Sequence, residues 1–235
     1  MRGELVSKKA YFFDFGDTLA STDPPYMCRI AMAMRRSGFE ITDREFETEY
    51  AKADYRLFLR HMDKGGISLR EHREWFLPML YESLSPASDI EKFREKVRRE
   101  MSEIGFTRAA LPGAARLLDY IKGKGYVIAV ISNNDGYTEE KCEEVGIRQY
   151  LDFIFDSTNL DMIKPDSRIF RYAAEKFDIA LGDAVHIGDM YGSDIMGALN
   201  AGLDVIWFNG RGIKKFNDAS VKEVGELTEI IRLVD

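Results

Sequence analysis

Ala10-Tyr11-Phe12-Phe13-Asp14-Phe15-Gly16-Asp17-Thr18-Leu19 sets a short apolar run directly before an aspartate, a glycine and a second aspartate. Four non-polar residues in a row read as a strand buried on both faces, as in a parallel sheet. Asp14 then emerges at the carboxyl end of that strand, where open α/β sheets gather their ligands. The same letters are also good turn chemistry, so the flanking sequence has to choose between a site and a turn.

Downstream, from about Pro24 to Phe106, the apolar period is helical. Tyr26, Ile30, Ala33 and Met34 share one face of a first helix that Gly38 ends. Thr42-Asp43-Arg44-Glu45, Ser68-Leu69-Arg70-Glu71 and Ser88-Asp89-Ile90-Glu91 each have the form of a capping box. Pro78 should kink or shorten the helix it falls in. Together these signals predict a bundle of about four helices.

From Leu111 onward strands and helices alternate. Tyr126–Ile131, Phe153–Phe155, Ala184–Ile187 and Val205–Phe208 read as buried strands. Helices are expected between them, from Ile195 to Ala201, and near Val224 to Leu233. Alternation of this kind implies an α/β fold, a Rossmann-like doubly wound parallel sheet. The helical stretch interrupts it, so residues 1–20 and 107–235 form the core and 21–106 an inserted all-helical domain.

The bulk composition agrees with a globular chain. Hydrophobic residues make up 45% of 235, and the formal net charge is −7. A negative balance argues against nucleic acid or an anionic membrane as partner. No stretch approaches the ~18 apolar residues of a spanning helix, and no signal peptide precedes the first strand. Cys28 and Cys142 form no bridge framework or zinc pattern, the habit of a cytoplasmic protein.

Polar residues collect at the predicted strand ends. Asp14, Ser132 and Asp189 each follow a buried strand, and Lys164 stands just before a helix. Two nearby carboxylates repel, and a shared Mg²⁺ would relieve that while keeping waters for substrate oxygens. Asp14 would be a carboxylate nucleophile forming an aspartyl-phosphate. Ser132 would hydrogen-bond the phosphoryl oxygens, and Lys164 would set a positive charge against nucleophile and phosphate.

With these residues in order, the sequence resembles the haloacid dehalogenase superfamily over nearly its whole length. Asp14-Phe15-Gly16-Asp17-Thr18-Leu19 is similar to the first motif, Ser132 with Asn133 to the second, Lys164-Pro165-Asp166 to the third, and Gly188-Asp189 through Asp194 to the fourth. The resemblance implies a phosphatase-like enzyme with Mg²⁺ held by Asp14, the Gly16 carbonyl and Asp189. Asp194 would orient metal waters or Lys164, while Ser132, Asn133 and Lys164 would bind substrate. It also makes the helical insertion a cap, and the substrate a small phosphorylated metabolite. Among cap residues, Tyr55, Phe58, Arg60, His61, His72 and Trp75 are candidates for specificity by type. Tyr137 and Met190 flank motif loops, and His186 reads as a satisfied core histidine.

One position departs from that pattern. The family's phosphatases usually carry a second aspartate two residues after the nucleophile, as general acid and base, and here that position is Gly16. Asp17, one residue on, is a candidate substitute. Other branches also lack the second aspartate: halide-cleaving members, and phosphonate-cleaving members that use a cap lysine, for which Lys52, Lys64, Lys92 and Lys96 are available. A non-catalytic member that binds a phosphorylated ligand is the remaining alternative. Oligomeric state leaves no trace in the sequence.

Overall fold

Ala10–Phe13 (β1) has all four residues fully buried, and in the computed structural model, which describes residues 8–84 and 89–234, it lies at the centre of the molecule. Ala20–Asp23 (β2) follows, then the helices Tyr26–Arg36 (α1), Asp43–Lys64 (α2), Leu69–Leu84 (α3) and Ile90–Ser102 (α4). Thr107–Ala110 (β3) pairs antiparallel with β2, a two-stranded ribbon at the base of the helical block that the sequence reading did not foresee. Its residues alternate between exposed and half-buried, so no apolar run marks it.

The remaining chain alternates: Ala114–Gly123 (α5), Val127–Ser132 (β4), Thr138–Glu144 (α6), Phe153–Asp156 (β5), Ser157–Leu160 (α7), Ser167–Lys176 (α8), Ala184–Gly188 (β6), Gly197–Ala201 (α9), Asp204–Phe208 (β7), Lys222–Val224 (β8) and Leu227–Ile230 (α10). Six strands form one parallel sheet in the order β5-β4-β1-β6-β7-β8. The order reverses at β1, so a crevice opens at the carboxyl ends of β1, β4 and β6. Phe13 is level with Val130 on one side and Ile187 on the other, which brings Asp14, Ser132 and Asp189 to one edge. One expected helix starts earlier than predicted and another is shorter. The segment before α9 begins as a wide π turn over Tyr191–Met196. Near the carboxyl end, β8 and the single turn of α10 replace one long helix, because Gly225 interrupts the run.

Apolar residues cover both sheet faces, in one cluster around Tyr11, Phe13, Leu117 and Val130 and another around Phe12, Ile131, Phe170 and Trp207. Helices α1–α4 enclose a third cluster, around Met34, Phe46, Leu57 and Leu80. The Thr42 capping box forms as read: Thr42 Oγ1 accepts from Glu45 N–H, and Glu45 accepts from Thr42 N–H at 2.8 Å. Such a cap stabilises a helix by about 0.5–2 kcal/mol. Ser68 and Glu71 make the same reciprocal pair. The third box differs: α4 is capped by Asp89, which accepts from Lys92 N–H, and Ser88 lies outside the described residues. Pro78 sits inside α3 on an exposed position, and the helix runs on to Leu84.

Candidate active site

The sheet edge supplies the first carboxylate. Asp14 leaves β1 with its N–H bonded to Ile187 O, and only 8% of the residue is exposed. Lys164 reaches it from the loop between α7 and α8. Its Nζ donates to Asp14 Oδ1 at 2.6 Å, to Asp194 Oδ1 at 2.7 Å and to Ile131 O at 2.6 Å, using all three ammonium donors. Asn133 fixes the lysine backbone, accepting from Lys164 N–H and donating to Lys164 O, each at 2.8 Å. Its side chain therefore positions Lys164. Ser132 is buried at the end of β4, as read.

Asp189 and Asp194 come from the turn after β6. Trp207 Nε1 donates to Asp189 O, and Thr18 Oγ1 donates to Asp189 Oδ1 at 3.2 Å. Asp194 folds back over Gly188, where an added Cβ would lie 2.3 Å from Asp194 Cγ, so only glycine permits the approach. Its oxygens are fully engaged: Oδ1 meets Lys164 and lies 3.1 Å from His186 Nε2, while Oδ2 accepts from Met190 N–H. His186 is thus a positioning residue beneath the site, and its Nδ1 has no partner among the described residues. Only half of the expected satisfied histidine is realised.

Charge balance is the site's dominant feature. Oxygens of Asp14, Asp189 and Asp194 lie within 4.8 Å of one another. Burial pushes Asp14 up to about 8 despite Lys164, with Asp194 and Asp189 adding to the rise. Burial likewise raises Asp189 to about 6, against the pull of Arg211. For Asp194 burial is overcome, and Lys164 followed by His186 holds it well below the usual carboxylate range. Lys164, in return, is held charged by Asp14 and Asp194 although burial opposes it. Two desolvated carboxylates short of positive charge, in a set of hard oxygen donors, suit a hard divalent cation. Asp14 keeps one oxygen outside the Lys164 bond, whereas each oxygen of Asp189 already has a donor.

A profile of the haloacid dehalogenase-like hydrolase family matches residues 11–208. The chain belongs to the haloacid dehalogenase-like hydrolases. The glyceraldehyde 3-phosphate phosphatase of Pyrococcus furiosus is 24% identical to it over 239 residues, 95% of this chain and 92% of its own. HAD-hydrolase YfnB of Bacillus subtilis, solved bound to magnesium, shares the fold with a TM-score of 0.64 at 21% identity, covering 97% of this chain and 99% of its own. A 2-haloacid dehalogenase from Pseudomonas syringae does so with 0.56 at 22%, covering 97% and 98%.

In this haloacid dehalogenase-like chain, α2 lies against the motif loops. Arg44 donates to the carbonyls of Arg211 and Gly212, and Asp54 accepts from the N–H groups of Gly192 at 2.6 Å and Ser193 at 3.1 Å. Burial raises Asp54 to about 7, although those N–H groups favour its charged form. Among the specificity candidates, Tyr55 stacks on Phe216 and Phe58, and Arg60 covers the Trp75 ring. His61 is buried with no hydrogen-bond partner for either ring nitrogen among the described residues, and His72 stacks on Phe76. Tyr137 is 62% exposed, and Met190 packs against the helical cluster. Lys52, Lys64 and Lys92 pair with neighbouring carboxylates, and Lys96 donates to the carbonyl of the buried Ser37.

Sequence reasoning missed Thr18, Asp54 and Arg211. Arg211, in the loop after β7, bonds Asp189 Oδ2 through Nη2 and Asp17 Oδ2 through Nη1 at 3.3 Å. Asp17 also accepts from Ser21 Oγ, so both of its oxygens are turned toward partners of their own. Thr18 sat inside a quoted motif. Asp54 and Arg211 carried no local signal, since a helix-face acid and an Asn-Gly-Arg-Gly turn are ordinary surface patterns.

Proposed function

We propose that this chain is a Mg²⁺-dependent phosphatase that hydrolyses a small phosphorylated metabolite through an aspartyl-phosphate on Asp14. The observation that carries the reading is Lys164 Nζ bonded at once to Asp14, Asp194 and Ile131 O inside a cluster of three carboxylates. Mg²⁺ held by Asp14, Asp189 and the Gly16 carbonyl would supply positive charge against the phosphate oxygens. Lys164 fixes one oxygen of Asp14 and leaves the other to attack phosphorus as the bond to the leaving oxygen breaks. Ser132 and Lys164 bind the phosphoryl oxygens. Water then cleaves the phosphorus–Asp14 bond, releasing phosphate and restoring the carboxylate.

The acidic pair and the phosphatase-named relative favour phosphate over halide. Every lysine named in the helical block bonds a partner within that block, which speaks against a phosphonate-cleaving Schiff base. Contacts from Arg44, Asp54 and Arg73 to the sheet domain support a cap that closes on a small substrate. Triose phosphates are the first compounds to assay, given the name of the Pyrococcus relative. Both cysteines are free thiols, and no helix of the described residues is long and apolar enough to cross a membrane, which suits a cytoplasmic setting.

The deciding assay is a panel of phosphate esters with and without Mg²⁺, run beside Asp14→Asn. Turnover that requires Mg²⁺ and falls by about 10³-fold or more in the variant is expected. Inertness across the whole panel would instead favour a phospho-ligand-binding role, and turnover surviving in Asp14→Asn would remove Asp14 as nucleophile.

A further inference from the structure

The loop that follows β7 is built to deliver one side chain. Asn209 ties it across, donating to Ile213 O at 2.9 Å and accepting from Ile213 N–H at 2.8 Å, and Gly212 takes a positive φ of +60°. Arg44 of α2 holds the carbonyls of Arg211 and Gly212 from above. The product is a guanidinium, 19% exposed, whose two terminal nitrogens divide between Asp189 and Asp17. Asp17 itself sits in the left-handed region at φ +55° and is steadied by Ser21.

Each oxygen of Asp189 carries one donor in this arrangement. Oδ1 accepts from Thr18 and Oδ2 from Arg211. A divalent cation on Oδ2 would meet the Arg211 guanidinium there, and the two positive charges repel. Thr18 is fully buried and has no second partner among the described residues, whereas Arg211 already touches Asp17. The fork shape of arginine lets one carboxylate be released while the other is kept.

We propose that Arg211 is a displaceable counter-ion of Asp189: it neutralises the carboxylate in the metal-free protein and yields it to the divalent cation, retained by Asp17. This rests on the metal reading of the site. It also gives Asp17 a role other than proton transfer, since its carboxylate is the second seat of the arginine. The cation and Arg211 compete for one oxygen, so the loop sets the divalent-ion concentration at which the site fills.

The test is calorimetric titration of Mg²⁺ into the metal-free full chain, for wild type, Arg211→Gln and Lys214→Gln. Lys214 is exposed on the same loop, so its variant measures the effect of losing a positive charge without contact to Asp189. Arg211→Gln should bind Mg²⁺ at least about tenfold more tightly, and Lys214→Gln within about twofold of wild type. In ¹⁵N spectra of the wild type, which need no variant to fold, the Arg211 Nε–H signal should move as Mg²⁺ saturates. Equal affinity in wild type and Arg211→Gln, equal tightening in both variants, or an unmoved Arg211 signal would each overturn the proposal and leave the metal reading intact. Failure of every form to bind Mg²⁺ would overturn both.

Discussion

At position 16 the chain has no side chain, two residues after the carboxylate that Lys164 holds. The vacancy is chemical and not steric. A Cβ built on Gly16 meets nothing within 4 Å, and its φ lies outside the left-handed region that would demand glycine. Gly16→Asp should therefore fold and place a carboxyl group where the family's phosphatases usually keep their acid and base. General acid–base catalysis is worth roughly 10²–10⁴-fold. An unrefined insertion should raise kcat/KM for alkyl phosphates by at least about tenfold, with a smaller gain for aryl phosphates, whose leaving groups need little protonation. Steady-state rates on the two ester classes measure this, and an equal or lower rate on both would show that proton transfer does not limit the native enzyme. Asp14, Ser132, Lys164, Asp189 and Asp194 were legible because each stands at a strand end or loop with a recognisable spacing. Asn133 was legible as a position, and only the fold shows its amide clamped on the Lys164 backbone. Thr18, Asp54 and Arg211 act through contacts across 171, 138 and 22 residues of sequence, and no local pattern encodes such pairings.

Among the elements, α2 links the helical block to the chemistry. Glu47, Tyr50, Asp54 and His61 recur at helical spacing along one side. Tyr50 feels the charges of Asp54, Asp189 and Arg211, and His61 those of Asp166 and Arg168. Asp54 makes the tightest junction, and Gly192 permits it: a Cβ there would lie 2.5 Å from Asp54 O. The wide turn over Tyr191–Met196 leaves the N–H groups of Gly192 and Ser193 for this carboxylate. Removing the acceptor leaves two buried donors unpaired, each costing about 1–3 kcal/mol. Asp54→Ala should accelerate hydrogen exchange of the Gly192 and Ser193 amides at least about tenfold while amides in β1 keep their protection. Unchanged exchange at both would mean that the helix rests on the turn without holding it. The sequence announced α2 through its capping box and apolar stripe. Which side of it would meet the sheet domain was hidden, because a polar helix face reads the same against solvent as against a charged site.

For the molecule as a whole, its acidic centre makes stability a function of protons and divalent cations together. Burial raises Asp14, Asp54 and Asp189 to about 8, 7 and 6, from an unfolded value near 4. Raised folded values mean that the native state binds these protons more tightly. The stability they contribute is full below about 4 and is lost as pH climbs from there to about 8. His61 and His72 have the opposite sign: burial lowers them to about 4 and 3, so they weaken the fold only as pH drops below about 6.5. Between pH 8.5 and 7 the carboxylates decide. Each proton taken up is worth about 1.4 kcal/mol per pH unit, or roughly 3–5 °C in Tm for a chain of this length. The metal-free protein should therefore melt several degrees higher at pH 7 than at pH 8.5. A divalent cation supplies at high pH the positive charge that protons supply at low pH, so millimolar Mg²⁺ should raise Tm more at pH 8.5 than at pH 7 and narrow the gap. Thermal melts across that range, with EDTA and with Mg²⁺, measure both effects. A metal-free Tm that rises with pH would show that these carboxylates are already ionised in the folded state, with Lys164 and Arg211 sufficient to hold them.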